Sequence, residues 1–387
     1  MAESFVSRLQ AGRKEIHAAK SAFFISGFAF STWVMMIPAV KQRLAIEADV
    51  LSLLLLCIGV SACIAMPAAG LLTRYVTCRR LITGASLLAA AAVAAIPHLP
   101  SYGAHVPVLL LLGGSVGTLD VAINLNAVLV ERACGERIMS GMHAFYCMGS
   151  FLAAGCYSFL AEAGGLSVPW IAALHAGAIL LLLLVYGRRY LAYHADGRGK
   201  KTALPRGIVV FLGVLCCISF LAEGGVMDWG GVLLTEDKGI PLASAGLGLT
   251  AFSVAEFLAR LPGDRLVRRF GEKKVILAST VSAAVCFAAV GWAETLPLLI
   301  VFFFLLGLAV ANVVPVLYSL LEYQTVMPIN LAVAALTSMG YAGVLLGPAF
   351  LGFVAHHTHI AVVFDFLAAL VLCQTAIALY VFARMKK

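Results

Sequence analysis

The sequence predicts an all-α integral membrane protein with twelve transmembrane helices in two six-helix bundles. Three observations support this class: 62% of the residues are hydrophobic, only 12% are charged and the mean hydropathy is +1.00, whereas soluble domains carry about 25% charged residues. The apolar runs are about 20 residues or longer, which suits helices that cross a hydrocarbon core of roughly 30 Å. They lack the alternation that is typical of barrel strands.

The apolar runs divide into six before and six after one long polar interval, RRYLAYHADGRGKKTALPR. We therefore expect a cytoplasmic N-terminal tail (1–19), an N-terminal bundle (20–190), a cytoplasmic linker (191–206) and a C-terminal bundle with a short cytoplasmic tail (207–387). The predicted spans are roughly 20–40, 50–73, 81–98, 106–131, 139–162, 168–188, 207–235, 242–262, 274–293, 297–321, 330–355 and 360–383.

The basic residues predict the orientation of the chain. All Lys and Arg residues except Lys41, Arg43 and Lys238 fall in the tails, the linker, the connections on one side or the adjoining ends of the spans, such as Arg260. The positive-inside rule places that side, with both termini, in the cytoplasm. The formal charge of +8 therefore reflects topology and requires no nucleic-acid partner. The cysteines suggest no disulfide framework, and the first 20 residues do not have the pattern of a cleaved signal peptide.

Two inner connections indicate an internal repeat. LTRYVTCRR (72–80) and LVRRFGEKK (266–274) occupy the same place in each half, and each ends in a pair of basic residues. Such repeats are typical of transporters whose binding site lies at the repeat interface near the bilayer midplane. The alternative is that any protein with many spans has basic inner connections.

With these connections, the chain resembles the major facilitator superfamily over its whole length, whose usual turn is Gly-x-Leu-x-Asp-Arg-x-Gly-Arg-Arg. The turn pattern is half kept, because Arg74 and Arg268 stand where the family has Asp, and Thr77 replaces the second Gly of the first copy. The positions that agree in kind are Gly70, Leu72, Arg79, Leu266, Arg269, Gly271 and Lys273.

Three stretches resemble the bacterial fucose-permease-like branch: GTLDVAINLNAVLVER (117–132), MSGMHAFYCMGSFLAAG (139–155) and EGGVMDWGGVLL (223–234). The resemblance implies a monomeric sugar–proton symporter of the bacterial inner membrane. The chain departs from the fucose type in its first span, which lacks an acid and offers instead Ser21, Ser26, Ser31, Thr32 and Trp33.

Two acids inside the spans are the candidates for proton coupling. Asp120 and Glu223 fall near the middle of the fourth and seventh spans, where a charged group usually faces a cavity or a partner. A static hydrogen bond is the alternative for Asp120. Gly224 and Gly225 are expected to loosen the seventh helix after Glu223 and to let its outer end bend.

The candidate substrate-binding residues are polar or aromatic and lie within the spans. Asp228 and Trp229 suit a sugar, because a carboxylate accepts hydrogen bonds from hydroxyls and an indole packs on a pyranose face; an interfacial anchor is the alternative for Trp229. His143 would gate the inner side or simply pack. Pro315 is expected to kink the tenth span. The other candidates are Trp33, Asn124, Tyr146, Asn312, Tyr318 and Tyr341.

The eighth span carries a charge pattern that we interpret as structural. Glu256 and Arg260 are four residues apart, with Asp264 and Arg265 one turn further on, so a ladder of ion pairs at an inner gate explains all four. Asp365 is also interpreted as structural, because it follows a helix N-terminus.

No nucleotide or metal site is expected. The histidines at 356, 357 and 359 lack further ligands, and no phosphate-binding loop is present. The sequence therefore predicts a non-enzymatic, cofactor-free secondary transporter that acts on a small molecule and protons. Export of drugs or metabolites stays open, and a receptor is disfavoured by the short loops. The substrate, the direction and the choice of H⁺ or Na⁺ are not determined by the sequence.

Overall fold

A computed structural model describes residues 12–193 and 204–385. All secondary-structure elements of the described residues are helices, which confirms the predicted all-α class. The first six helices are α1 (Arg13–Leu44), α2 (Ala48–Leu72), α3 (Cys78–Ala95), α4 (Tyr102–Cys134), α5 (Met139–Glu162) and α6 (Val168–Tyr186). The rest are α7 (Ile208–Val232), α8 (Leu242–Phe270), α9 (Glu272–Trp292), α10 (Leu296–Val310), α11 (Val313–Leu320), α12 (Ile329–His357) and α13 (Ile360–Met385).

The tenth predicted span is divided between α10 and α11, and the other spans correspond to one long helix each. Within the described residues, eleven spans are long and apolar enough to cross a membrane. The exception is α8, which has 29 residues but also the charged residues of the eighth span. Residues 1–11 of the predicted tail, residues 194–203 of the predicted linker and the last two residues lie outside the described part.

The chain forms two compact units. Of the described residues, the first comprises 12–138, 142–193 and 328–334, and the second comprises 139–141, 204–327 and 335–385. In the first unit α2 packs extensively on α4 and α3 on α6, and in the second α8 packs on α10 and α9 on α13. These are the corresponding helix pairs of the two repeats.

The close contact of α2 with α4 is repeated by α8 with α10. A Cβ on Gly113 would lie 2.3 Å from the Ile58 carbonyl oxygen, and one on Gly307 would lie 2.2 Å from that of Phe252. Ile58 and Phe252 are separated by the same number of positions as Gly113 and Gly307. The repeat seen in the inner connections therefore extends to the packing, since only glycine lets these backbones approach so closely.

The two inner turns differ where the sequence departs from the family pattern. Gly271, with φ +80°, separates α8 from α9 directly, and this φ favours glycine. The corresponding Thr77 instead caps α3, accepting a hydrogen bond from the Arg80 amide at 3.3 Å. Thr77 thus provides a side-chain N-cap where the second repeat has a glycine with positive φ.

The expected bend at Gly224 and Gly225 is wrong, because α7 continues through both residues and its irregular π-helical turn comes later, at Leu233–Asp237. A Cβ on Gly225 would lie 2.9 Å from the Cδ1 atoms of Leu351 and Leu367. Gly225 therefore makes room for the side chains of α12 and α13, and the helix is continuous through this position.

The start of the central linker is ordered against α3. The amides of Cys78 and Arg79 donate to the carbonyls of Tyr193 (2.7 Å) and Leu191 (2.9 Å). Tyr190 is fully buried and its hydroxyl lies 3.2 Å from Ser21 Oγ. Burial raises the pKa of Tyr190 to about 12, against a smaller lowering by the Ser21 hydrogen bond, so the phenol stays protonated at physiological pH.

Candidate functional site

Three carboxylates lie near the middle of long helices. Asp120 is close to the centre of α4, Glu223 is central in the span Ile208–Asp237, and Glu256 is central in α8. A charged group at such a depth needs a partner or a proton. The surroundings of each acid therefore decide what it can do.

Glu223 has a buried carboxylate oxygen with no hydrogen-bond partner. Its Oε1 atom is enclosed and receives no hydrogen bond from the described residues. Two charged groups of the same unit, Glu256 and Arg260, act on it electrostatically. Glu223 is thus one of two carboxylates that share the field of a single guanidinium group.

Glu256 and Arg260 form the ion pair that their spacing along α8 predicts. The Arg260 Nη2 group donates to Glu256 Oε1, and the two side chains are 8% and 14% exposed. Arg260 also donates from Nε to the Ala311 carbonyl oxygen at 3.1 Å. The guanidinium group therefore connects α8 to the break between α10 and α11.

Pro315 explains why the Ala311 carbonyl accepts from Arg260. Proline has no N–H, so the carbonyl four residues earlier lacks its helical donor. That carbonyl belongs to Ala311, directly at the break between α10 and α11. The irregularity expected from Pro315 is confirmed, and it creates the acceptor that fixes Arg260.

Asn312 makes a second connection across the same helices. Its Nδ2 group donates to the Ala259 carbonyl at 3.1 Å, while its Oδ1 is buried without a partner. A Cβ on Gly263 would lie 2.0 Å from that Oδ1. Gly263 is thus required for α8 to lie against Asn312.

Asp264 and Arg265 do not continue a simple ladder along α8. The Asp264 carboxylate accepts hydrogen bonds from the amides of Ser140 (2.8 Å) and Gly141 (3.0 Å), at the N-terminus of α5. A carboxylate there satisfies free N–H groups and complements the helix dipole. Arg265 is exposed and forms no ion pair with the described residues.

In the first unit, Asp120 is half-buried and Asn124 is buried. The amide of Asn124 donates to the main-chain carbonyl of Asp120 at 2.9 Å, so it does not use this group to hold the carboxylate. The Oδ1 atom of Asn124 is buried without a partner. Asn124 thus keeps one unused acceptor, four residues along the helix from Asp120.

The aromatic candidates of the first unit differ in access. Trp33 is 1% exposed and belongs to the core of the unit, so a solute could reach it only after rearrangement. His143 and Tyr146 are half-buried, and the His143 ring centroid lies 5.1 Å from that of Phe23.

The remaining candidates lie in the second unit. Tyr318 is buried and its hydroxyl is 2.8 Å from Thr337 Oγ1, whereas the half-buried Tyr341 packs edge-on against Phe220 at 5.9 Å. Asp228 is exposed, and the neighbouring Trp229 has a buried Nε1 without a partner. The Trp229 indole thus keeps an unused donor.

Two further acids, Asp365 and Glu131, have structural partners. Asp365 accepts from Trp292 Nε1 at 3.3 Å, and Glu131 of the VER stretch pairs with Arg137 at 3.1 Å and accepts from the Ile138 amide. Glu131 thus stabilises the turn between α4 and α5.

Over residues 12–193 and 204–385, no group of three His, Cys, Asp or Glu is placed to hold a metal.

The sequence did not reveal two buried polar pairs. His175 of α6 lies 2.8 Å from Thr32 of α1, and Gln374 of α13 lies 2.7 Å from Ser219 of α7. Each of these polar residues lies within an apolar run, although Thr32 follows Ser31 and Gln374 precedes Thr375. A polar residue in an apolar run signals a buried polar contact, but it does not identify the partner.

Sequence comparison finds full-length relatives among bacterial transporters. The Major Facilitator Superfamily model matches residues 212–387. An MFS-type transporter of Yersinia pestis is 36% identical over 375 residues, covering 96% of each chain. A transporter of Sinorhizobium fredii is 31% identical over 341 residues, covering 87% of this chain and 89% of the other.

Solved structures share the fold at low identity. The fucose:proton symporter FucP of E. coli superposes with a TM-score of 0.74 at 16% identity, covering 95% of this chain and 98% of the other. The proton:xylose symporter XylE gives 0.71 at 14% identity, covering 97% and 95%. At such identity the match establishes the fold alone.

Proposed function

The chain belongs to the Major Facilitator Superfamily, and we propose that this multi-pass membrane transporter couples proton entry to uptake of a sugar or similar small polar solute. The two repeats would work by alternating access, as is usual for transporters with internal repeats. We propose that it acts as a monomer in the bacterial inner membrane with both termini in the cytoplasm. Support for this orientation comes from the distribution of Lys and Arg.

One observation carries the proton coupling: Glu223 has a buried, unpartnered oxygen beside a carboxylate–guanidinium pair. With Glu223, Glu256 and Arg260 all ionised, the group has one surplus negative charge. A proton on Glu223 neutralises the group and supplies an O–H donor. Because an uncompensated charge in the bilayer is costly, proton binding at Glu223 should bias the conformation of the second unit.

Asp120 is the proposed coupling residue of the first unit. It lies near the centre of α4, four residues before Asn124, whose Oδ1 is an unused acceptor. At the corresponding position the second repeat has Val314, whereas the first repeat has Ala62 and Met66 in place of Glu256 and Arg260. The two repeats therefore differ in the placement of their acids, which supports one protonation site in each.

The sugar is proposed from two further considerations. The solved structures that share the fold include a fucose:proton and a proton:xylose symporter. The accessible candidates include Tyr146, Tyr341, Trp229 and Asp228, which combine aromatic faces with hydrogen-bonding groups as a sugar requires.

The test is charge movement on a solid-supported membrane. The reconstituted full-length protein is perfused with hexoses, deoxyhexoses, pentoses and amphipathic drugs, and the wild type is compared with D120N and E223Q. The control is E236Q, because Glu236 is an exposed acid at the end of the same span as Glu223. We expect one sugar to evoke a positive inward current that E236Q retains and that E223Q or D120N abolishes.

Three results would contradict parts of the proposal. Currents that require Na⁺ and do not respond to pH would exclude proton coupling. Silent sugars together with drug currents under an opposed pH gradient would identify an exporter. Sugar currents that are unchanged in both D120N and E223Q would support a sugar as the substrate but would show that neither Asp120 nor Glu223 couples protons.

A further inference from the structure

In both repeats a buried hydrogen bond joins the sixth helix to the first, but at a different level of the helix pair and with different chemistry. In the first unit the sixth helix contacts the first through His175 and Thr32, and in the second unit the corresponding helices are joined by Gln374 and Ser219. All four side chains are buried. The contact in the first unit thus contains a titratable ring, and the contact in the second unit contains an amide.

The hydrogen bonds of Thr32 determine which nitrogen of His175 carries the proton. A hydroxyl has a single hydrogen, and Thr32 Oγ1 lies 2.7 Å from the Phe28 carbonyl oxygen, which can only accept. Thr32 must therefore donate to Phe28 and accept from His175 Nδ1–H at 2.8 Å. In the neutral ring Nε2 is then a lone pair, and it is buried without a partner.

The hydroxyl of the second pair, on Ser219, also donates to a main-chain carbonyl and accepts from its partner, but this partner is an amide and has no ring nitrogen with a free lone pair. Ser219 Oγ donates to the Leu215 carbonyl at 3.1 Å and accepts from Gln374 Nε2 at 2.7 Å. The same Nε2 group also donates to the Leu215 carbonyl at 2.8 Å. An amide does not titrate, so acid leaves this contact unchanged.

Among the described residues, the helix segments that surround His175 contain no acidic side chain to compensate a proton on its ring. The Phe28 ring lies 4.7 Å away and the Tyr157 ring 6.5 Å away, centroid to centroid, and Tyr157 is the titratable group that faces His175 from α5. Residues 21–40 of α1, 81–95 of α3 and 144–161 of α5 contain no Asp, Glu, Lys, Arg or His. The exposed His98 ends the short helical turn after α3, and this turn also contacts α6.

We propose that Nε2 of His175 is a proton-binding site, separate from Asp120 and Glu223, that makes the contact between α1 and α6 sensitive to acid. The protonated ring keeps its bond to Thr32 but gains a second N–H and a charge among apolar side chains. A buried donor without an acceptor costs free energy, so acid loosens the first unit. The second unit, built with Gln374, lacks this response.

The inference does not depend on the identity of the solute, and thermal unfolding tests it. The melting temperature of the full-length protein in nanodiscs is measured at about pH 8 and about pH 5.5 for wild type, H175Q and Q374H. H175Q copies the second repeat and keeps a donor for Thr32, whereas Q374H copies the first. We expect the acid-induced fall in Tm to be smaller in H175Q and larger in Q374H, by about 2–4 °C each.

The same variants can also overturn the proposal. An acid-induced fall in H175Q equal to that of the wild type would overturn it, whatever Q374H does. If H175Q cannot be purified, Q374H decides alone: a larger fall supports the site, and an unchanged fall overturns it. H175A separates bonding from titration, since it should lower Tm at both pH values while its acid-induced fall matches that of H175Q; a fall equal to the wild type's would likewise overturn the site.

Discussion

Arg260 donates a hydrogen bond from Nε to the main-chain carbonyl of Ala311, 3.1 Å away. The acceptor exists because Pro315 provides no N–H to that carbonyl. The same guanidinium group binds Glu256, so a proline in one helix and a carboxylate in another fix one cation. Because Glu223 lies in the field of this cation, the helix break and the proposed protonation site are physically linked.

Replacing Pro315 with Ala should restore the missing helical bond. The new N–H competes with Arg260 for the Ala311 carbonyl, so α10 and α11 should join into a continuous helix. Hydrogen–deuterium exchange of the segment around 311–316 should slow by about tenfold or more, since the amides gain regular helical bonds. The control is P348A, because Pro348 lies inside the continuous helix α12. Unchanged exchange around 311–316 in P315A would show that another constraint causes the break.

The ion pair should be strongly coupled in a double-mutant cycle. R260Q leaves Glu256, which is 14% exposed, without its cation, and such a loss typically costs about 3–5 kcal/mol. E256Q in addition should recover part of this loss, because no unpaired carboxylate then remains at that position. The control is R265Q, since Arg265 is exposed on the same helix, and it should change the free energy of unfolding by less than about 0.5 kcal/mol. Additive effects of R260Q and E256Q would show that the pair is not energetically coupled.

The sequence predicts contacts along one helix better than contacts between helices. Glu256 and Arg260 meet because residues four apart share a helical face, so their spacing is sufficient. The partner of His175 is distant in sequence and depends on how α1 and α6 are rotated against each other. The acceptor of Arg260 is a main-chain carbonyl, which no side-chain pattern reveals.

Glycines show the same limit. Gly224 and Gly225 suggested a flexible point, yet Gly225 admits Leu351 and Leu367 and α7 stays regular. A glycine in a membrane helix either loosens the backbone or admits a neighbour. The sequence alone does not distinguish these cases, because the distinction depends on what packs there.

Gly263 should tolerate no side chain, in contrast to another glycine of the same helix. A Cβ at Gly263 would lie 2.0 Å from Asn312 Oδ1 and 2.6 Å from Ser140 Cβ, whereas one at Gly246 would meet no atom within 4 Å. G263A should destabilise the protein by about 1–3 kcal/mol through overpacking. G246A should be neutral or slightly stabilising, because alanine favours a helix. Chemical unfolding of both variants measures the difference, and equal stability would mean that α8 does not pack closely there.

Lys238 should stabilise the second unit, and its contribution to the free energy of unfolding should be constant near neutral pH. Its side chain is 4% exposed, and its ammonium group lies 3.0 Å from Glu294 Oε1, 3.1 Å from Asp237 Oδ2 and 2.9 Å from the Gly291 carbonyl. Burial lowers the pKa of Lys238, but the hydrogen bonds to Glu294 and Asp237 outweigh this and raise it overall. A raised lysine pKa gives stability that is fully present below the unfolded value of about 10.4 and is lost only as pH rises through the folded value.

K238M should therefore lower Tm by about 2–4 °C, equally at about pH 6 and about pH 8. The matched control is K41M, because Lys41 is another of the few basic residues predicted on the outer side, and it should change Tm little. The melting temperature at both pH values distinguishes the outcomes. A destabilisation that differs between the two pH values would mean that another titrating group, and not the ammonium of Lys238, holds α7 to the connection after α9.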